Sequence, residues 1–360
     1  MLDVCFNPTK SSFVVLSDRN VGDVTGLEIQ GMTLPVEKSY KYLGITISSG
    51  SNYMDSQEDI WKDAAEKALQ QLRAQSLWGF NRFEITRVQW KATAVPRLTY
   101  SNAVTVMSRN LLNKLATSQN FAGRWALGVP NYKIPNAFVQ GELGWSSFEA
   151  REAQSKMRYF SRVGTMDDKR WPKAILDMMV HTGVKSRAYS RLETLMKHFD
   201  CIHIPIESVD GKPRLGKYNK EIVCQVRLVE DTIWRQDMKT KSSLLRYQRF
   251  KKTRGSVDVR YDNSRGSGLL AVARAGVLPT RCHRKKFVPE LDTTCLYCGM
   301  EPETLEHILH ECNDCYFTEE DSCLKLGFTE VKQAAPVKAT KRLLEKWETF
   351  FGPQSLLASE

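Results

Sequence analysis

Between Asp55 and Leu77, apolar side chains recur at Ile60, Ala64, Ala68, Leu69 and Leu72, and acids fill the first turn. The spacing follows the 3.6-residue period and predicts an amphipathic helix. The same pattern predicts helices over Thr86–Tyr100, Arg109–Trp125, Pro135–Leu143, Ser147–Val163 and Pro172–His181, with Pro96, Pro130 and Pro135 at the joints. Upstream the pattern is different. "SSFVVLS", "LEIQGMTLPV" and "YKYLGITIS" are short β-rich runs punctuated by Gly22, Gly26, Gly31 and Gly50. Three short strands do not make an independent domain, so they read as the edge of a sheet whose other strands are absent. Downstream, Cys201–Lys217 carries two prolines and two glycines and reads as a connector. A long helix is predicted from Lys220 to Lys252, with Val223, Val226, Ile233 and Trp234 on one side. "GLLAVARAGVLP" is a further short segment, and "ATKRLLEKWETFF" a closing amphipathic helix.

These elements predict a mainly α, multi-domain chain with a small N-terminal β part and a C-terminal zinc knuckle. The divisions expected are 1–52 (β), 53–200 (helical), 201–217 (connector), 218–287 (basic helical linker), 288–330 (knuckle) and 331–360 (closing helix). A length of 360 residues fits two or three domains. No internal repeat or low-complexity tract is visible. The formal charge of +11 favours polyanionic partners. No apolar run approaches the roughly 20 residues of a membrane span, so no membrane association is expected. The start, "MLDVCFNPTK", has no basic region followed by an apolar one. With nine cysteines and no such signal, the expectation is an intracellular protein, nuclear or cytoplasmic.

In a reducing compartment, C-x-x-C reads as metal or redox rather than disulfide. "TTCLYCGMEPETLEHILHEC" sets Cys295, Cys298, His307 and Cys312 in the spacing C-x2-C-x8-H-x4-C. Thiolate and imidazole donors in that number suit a structural Zn²⁺ tetrahedron with no open position, which disfavours hydrolytic catalysis. Gly299 supplies the freedom that a knuckle needs, and Thr304 reads as a helix N-cap. Cys312, five residues beyond His307, must lie where that helix ends and the chain bends back. Four incidental residues and a redox pair are the other readings. Cys315 is an alternative to Cys312.

From Arg235 to Lys286 there are 15 Lys and Arg against 3 acids. Arg246, Arg249, Lys251, Lys252, Arg254, Arg281, Arg284, Lys285 and Lys286 are therefore candidates for phosphate contact with RNA or DNA. Tyr247, Phe250 and Phe287 are candidates for base stacking, and His283 for a phosphate contact. The bland alternative is a solvated helix face. Trp61, Trp78, Trp90, Trp125 and Trp145 read as core anchors. Gly141, Gly144 and Trp145 read as a helix corner, and Asp167–Asp168 as a turn or cap. His181, His198 and His203 form no ligand set.

Together, "FNPTKSSFVVLS" and "KSYKYLGITISSG" resemble the end of the palm in non-LTR (LINE-type) retrotransposon reverse transcriptases. "VPRLTYSNAV", "LATSQNFAGRWALGVP" and "FVQGELGWSSFEAREAQSKMRYFSRV" resemble the thumb and post-thumb, and the cysteine motif resembles the C-terminal knuckle of the same proteins. The resemblance implies that Lys10 ends the palm's N-x-x-K segment. It also implies that Tyr42, Leu43 and Gly44 form the primer-grip turn, and that the thumb helices hold an RNA–DNA hybrid. The family's polymerase chemistry needs paired carboxylates and Mg²⁺ in an (F/Y)-x-D-D turn, which this sequence lacks. The expectation is a nucleic-acid-binding C-terminal portion with structural zinc and no polymerase activity of its own. Mg²⁺ would belong only to the missing catalytic core. The alternative is a helical, zinc-containing protein–protein adaptor derived from a transposable element.

Overall fold

The computed structural model describes residues 7, 11–16, 27–29, 31–50, 52–75, 81–129, 134–206, 208–209, 212–255, 260–310, 312, 318–328 and 334–351. Lys10, Trp78, Pro130 and Cys315 lie outside the described residues. The fold is mainly helical, with small antiparallel hairpins at the N-terminal end and a Cys/His cluster near the C-terminal end. No described helix is long and apolar enough to cross a membrane.

Of the three N-terminal runs, the second and third form hairpins, whereas the described part of "SSFVVLS" makes an isolated bridge, Phe13 to Val36, rather than a strand. Strands β1 (Glu28–Ile29) and β2 (Met32–Thr33) pair across a tight turn, as do β3 (Ser39–Tyr42) and β4 (Ile45–Ser48). Leu43 and Gly44 both have positive φ, +46° and +84°. Two such central residues suit the right-handed twist of a two-residue hairpin, and they put Leu43 in a backbone region that side chains disfavour. The second hairpin is fixed to the first helix. Gln57 Oε1 accepts from the Thr46 N–H at 2.7 Å, and Ser48 and Ser56 hydroxyls meet at 2.7 Å.

Helix α1 (Asp55–Gln75) buries Trp61, Ala64, Ala65, Ala68 and Leu72, whereas Ile60 is 48% exposed. The core face is thus turned one residue from the predicted one, because the indole of Trp61 offers more apolar surface to bury than Ile60. Asn81 caps α2 (Arg82–Gln89) by accepting from the Phe83 N–H at 3.0 Å, which starts this helix four residues earlier than predicted. A π-turn at Trp90–Ala94 leads into α3 (Val95–Thr99). Pro96 has no N–H for the helical ladder, and the widened turn accommodates it without a break. Then follow α4 (Arg109–Ala126), α5 (Asn136–Leu143), α6 (Phe148–Gly164), α7 (Trp171–Thr182) and α8 (Arg187–His198). The sequence reading did not include α8, although Ser186 caps it through the Tyr189 N–H. Asp167 Oδ1 accepts from the Lys169 N–H at 2.9 Å, the turn read there from sequence.

The helix predicted over Lys220–Lys252 is instead two. After the short β5–β6 pair (Ser208–Val209 with Lys212–Pro213), α9 runs Leu215–Lys239 and stops at Thr240. A 3₁₀ turn, Ser242–Leu244, re-aims the chain into α10 (Leu245–Phe250). The break turns Leu244 and Tyr247 into the core, where both are fully buried. On α9 the buried residues are Tyr218, Ile222, Val226, Glu230, Trp234 and Met238, while Ile233 is left 37% exposed. α11 (Arg265–Arg274), α12 (Arg281–Arg284), α13 (Leu305–Leu309), α14 (Glu319–Lys325) and α15 (Ala334–Phe351) complete the chain.

Two apolar clusters hold these elements. The smaller unites α6, α8 and the first half of α9 through Met157, Leu195, Phe199 and Ile222. The larger takes Trp61, Trp90, Leu111, Phe138, Trp234, Tyr247, Leu270, Leu309, Leu344 and Trp347, residues from both ends of the sequence. At its centre lies a fully buried polar knot. Glu142 accepts from the Tyr247 hydroxyl (2.8 Å), the Tyr261 hydroxyl (2.7 Å) and Arg274 Nη2 (2.9 Å). Arg274 Nη1 donates to the carbonyls of Leu326 (2.5 Å) and Gly327 (3.0 Å), and its guanidinium lies 4.3 Å from the Phe328 ring centre. Gly141 makes room for this knot: a Cβ there would collide with the Tyr247 hydroxyl and fall 2.8 Å from Trp234 Cζ2. Burial alone pushes the Glu142 carboxyl up, but the Arg274 and Lys251 charges and the hydrogen bonds outweigh it and hold the pKa at about 2.

Removing one partner leaves a buried, uncompensated charge. Glu142→Ala is therefore expected to cost about 3–5 kcal/mol in guanidinium unfolding, and a loss below about 1 kcal/mol would show that the knot contributes little. Because the folded carboxyl is depressed, its contribution is fully present above the ordinary value of 4.5 and lost as pH falls toward about 2. Acid titration of the wild-type midpoint against that of Glu142→Gln measures it.

Candidate metal centre

The knuckle is built from backbone turns before any ion is considered. Cys295 N–H donates to Glu301 O (2.8 Å), Glu303 N–H to Thr293 O (2.7 Å), and Gly299 N–H returns to Cys295 O (2.9 Å). This narrow loop needs left-handed backbone at its tip, and Gly299 supplies φ +66°. Thr304 caps α13, accepting from the His307 N–H at 3.1 Å, as the sequence predicts. The helix ends at Leu309, and Cys312 takes φ +61° with its N–H on His307 O at 3.3 Å. The chain therefore doubles back at Cys312, and its thiol faces the first cysteine pair.

All four donor atoms lie within 4.8 Å of one another. Cys295 Sγ and Cys312 Sγ are 3.6 Å apart, and Cys298 Sγ and His307 Nε2 are 3.4 Å apart. A disulfide requires about 2.05 Å, so these thiols are not bonded. A zinc tetrahedron with Zn–S near 2.3 Å and Zn–N near 2.0 Å has edges of about 3.8 Å (S···S) and about 3.5 Å (S···N). The observed separations match those edges, so the cluster fits a structural zinc ion with all four positions filled by protein. The electrostatics agree. Backbone N–H groups of Glu301 and Met300 hold the Cys298 thiol below its ordinary value. Burial and the neighbouring Cys295 and Cys298 thiols push Cys312 up to about 12. Clustered thiolates repel one another, and a bound dication relieves that repulsion.

The knuckle is fastened to the body. Ile308 and Leu309 of α13 belong to the larger core beside Leu344 and Trp347 of α15. Buried Glu303 accepts from the Arg281 N–H at 2.9 Å, which ties α12 to the loop. Lys325 Nζ donates to Leu309 O at 2.7 Å, at the end of α13. His310 is buried against Ser322, with 3.4 Å between ring nitrogen and hydroxyl, and is not part of the cluster.

The basic stretch is largely engaged within the molecule. Arg246 pairs with Glu306, Arg249 with Glu319, and Arg254 with both Asp231 and Glu230. Arg281 reaches Asp292 at 3.8 Å, Lys251 donates to Gly255 O at 2.5 Å, and Lys252 to Arg249 O at 2.7 Å. These acids come from distant positions, which counting charges within the segment could not reveal. Tyr247, a candidate for base stacking, is fully buried on Glu142, and Phe250 stacks on Phe328. Neither ring is free to receive a base. Phe287 is 76% exposed, beside exposed Lys285 and Lys286 and half-buried Arg284 and His283. In the turn of the second N-terminal hairpin, Tyr42 (61%) and Leu43 (72%) form an exposed tip next to Gly44. Trp61, Trp90 and Trp145 are buried, as expected of core anchors, and Trp125 is half-buried.

No family model, curated protein or solved structure matches this chain.

Cys298→Ser is expected to lower zinc content from about one ion per chain to near zero by elemental analysis, with the helical signal largely retained. Unchanged zinc in that variant would refute this ligand set.

Proposed function

We propose that this chain binds nucleic acid, in the manner of the thumb, basic linker and zinc knuckle of a non-LTR reverse transcriptase. The Cys295–Cys298–His307–Cys312 tetrahedron carries the reading. It holds Zn²⁺ as a structural brace and keeps Arg281–Phe287 on a rigid surface through Glu303. On that surface Arg284, Lys285 and Lys286 supply positive charge, and Phe287 supplies an exposed ring for a base. Tyr42, Leu43 and Gly44 form a second contact tip, where the resemblance sets the primer end. The chain acts by binding and positioning. Mg²⁺ and polymerase chemistry belong to a catalytic core with its own aspartates. The compartment is intracellular.

One observation favours a second reading, a helical zinc-containing adaptor for other proteins. Arg246, Arg249 and Arg254 are already ion-paired, while Trp171 (80%), Ile175 (48%) and Met178 (57%) form an exposed apolar face on α7.

Salt dependence separates the two. For nucleic acid, log K against log[salt] should fall with a slope of about −2 to −3, given three or more phosphate contacts at about −0.7 to −0.9 each. Fluorescence anisotropy with single-stranded RNA, single-stranded DNA and an RNA–DNA hybrid measures it. No binding of any of the three at about 50 mM salt would remove the nucleic-acid reading.

A further inference from the structure

The knuckle and α15 enclose a cleft beside the metal cluster. Its volume is about 490 Å³, within the range of about 300–1,000 Å³ for small-ligand cavities. The knuckle contributes Ile308 and the ligand residues Cys295 and Cys312, and α15 contributes Leu343 and Trp347. Tyr297 and Phe350 line it too, 69% and 68% exposed. Three aromatic rings around one cleft favour a flat ligand held by stacking and burial.

Polar capacity in the cleft is not fully met. Glu303, 1% exposed, gives Oε1 to the Arg281 N–H, but its Oε2 has no hydrogen-bond partner. The indole N–H of Trp347, 6% exposed, has none either. The indole lies near enough to the carboxyl to lower its proton affinity, yet the two lack hydrogen-bond geometry. A buried acceptor beside a buried donor suits a ligand edge that carries a donor beside an acceptor. An acyl chain would leave both unmet. Cations stand on the α15 side, where Arg342 and Lys346 are one turn apart, exposed, and both line the cleft. The acids of the same helix are engaged by α11: Glu345 Oε1 accepts from the Gly266 N–H and Glu348 Oε2 from Arg265 Nε, each at 2.6 Å. Among the described residues, Arg342 and Lys346 pair with no carboxylate.

We propose that this cleft binds a nucleoside phosphate, its base between the knuckle and α15 and its phosphate on Arg342 and Lys346. A nucleobase is flat, and its edge sets an N–H donor beside an acceptor, as Glu303 and Trp347 require. A guanidinium and an ammonium one turn apart meet phosphate oxygens through charge-assisted hydrogen bonds. A dication held by three thiolates carries a net negative charge, which keeps the phosphate on the α15 side. A free nucleotide and a nucleotide unstacked from a strand present the same groups. Only the second source rests on the nucleic-acid reading above.

The test uses the zinc-loaded full chain. Calorimetry compares AMP, CMP, GMP and UMP with ribose 5-phosphate, which lacks a base, and anisotropy measures a labelled single-stranded RNA. Two variants probe the cleft. Ala339→Phe fills it from an exposed position on α15, and Arg342→Gln/Lys346→Gln removes the phosphate contacts. At least one nucleotide should bind, ribose 5-phosphate about tenfold more weakly or worse, and each variant should lose about tenfold or more. Because the replaced side chains are exposed, zinc content and melting should be unchanged. If RNA affinity falls in both variants, the occupant is a nucleotide of a strand. If nucleotide binding falls and RNA affinity does not, it is a free nucleotide. No nucleotide binding at about 5 mM, together with unchanged RNA affinity in both variants, refutes the cleft while the nucleic-acid reading stands. Nucleotide binding untouched by both variants also refutes it, by placing the ligand elsewhere. A wild type that takes nucleotides in the cleft but ignores RNA removes the nucleic-acid reading and leaves the cleft, and one that binds neither removes both.

Discussion

The buried pairing of Glu142 with Arg274 is the constraint on which the rest of the larger core depends. Two opposite charges with no exposed surface are tolerable only if nearly every donor and acceptor is met. Here Tyr247 and Tyr261 satisfy the carboxylate, and the carbonyls of Leu326 and Gly327 accept from Arg274 Nη1, which leaves Nε as the one nitrogen of that guanidinium without a partner. The participants come from α5, α10, the segment before α11, α11 itself and the end of α14. An apolar core would accept many registers of these helices, whereas a carboxylate with fixed donors accepts few. The knot therefore sets how the C-terminal elements, the metal centre included, are seated on the helical body.

This dependence also explains what was legible in the sequence. The metal centre was readable because its ligands fall within one short stretch, and local turn chemistry at Gly299 and Thr304 nearly determines the loop. Most helices were readable from periodicity. The buried knot was not. Tyr247 sits inside a run that looks like a cationic surface and Arg274 inside the apolar segment "GLLAVARAGVLP", and the carboxylate that claims them lies 105 and 132 residues earlier. Burial of an arginine is decided by a partner that no local window contains. The same reason hid the internal pairing of Arg246 and Arg254. The missed face of α1 has a different cause: Ile60 and Trp61 both fit a helical period, and only packing decides between them.

The charge of this protein is thus sorted by the fold rather than by the sequence. Arg246, Arg249 and Arg254, near one another in the chain, each meet acids from elsewhere in it. Surface chemistry in a basic protein follows which charges lack a counterpart after folding, and net charge alone does not report that.

Helix α9 carries a quieter instruction. Its buried residues, from Tyr218 to Met238, step by four each time. Four residues overshoot a full turn by about 40°, so over five steps the inward stripe winds about 200° around the rod. Its two ends consequently press on opposite sides: Ile222 and Val226 on the smaller core, Trp234 and Met238 on the larger. The helix works as a shaft that fixes the angle between the two cores. Side-chain replacements along it change fit locally, but inserting or deleting a single residue midway would swing one core by about 100° relative to the other. Its length is therefore far less free to vary than its composition.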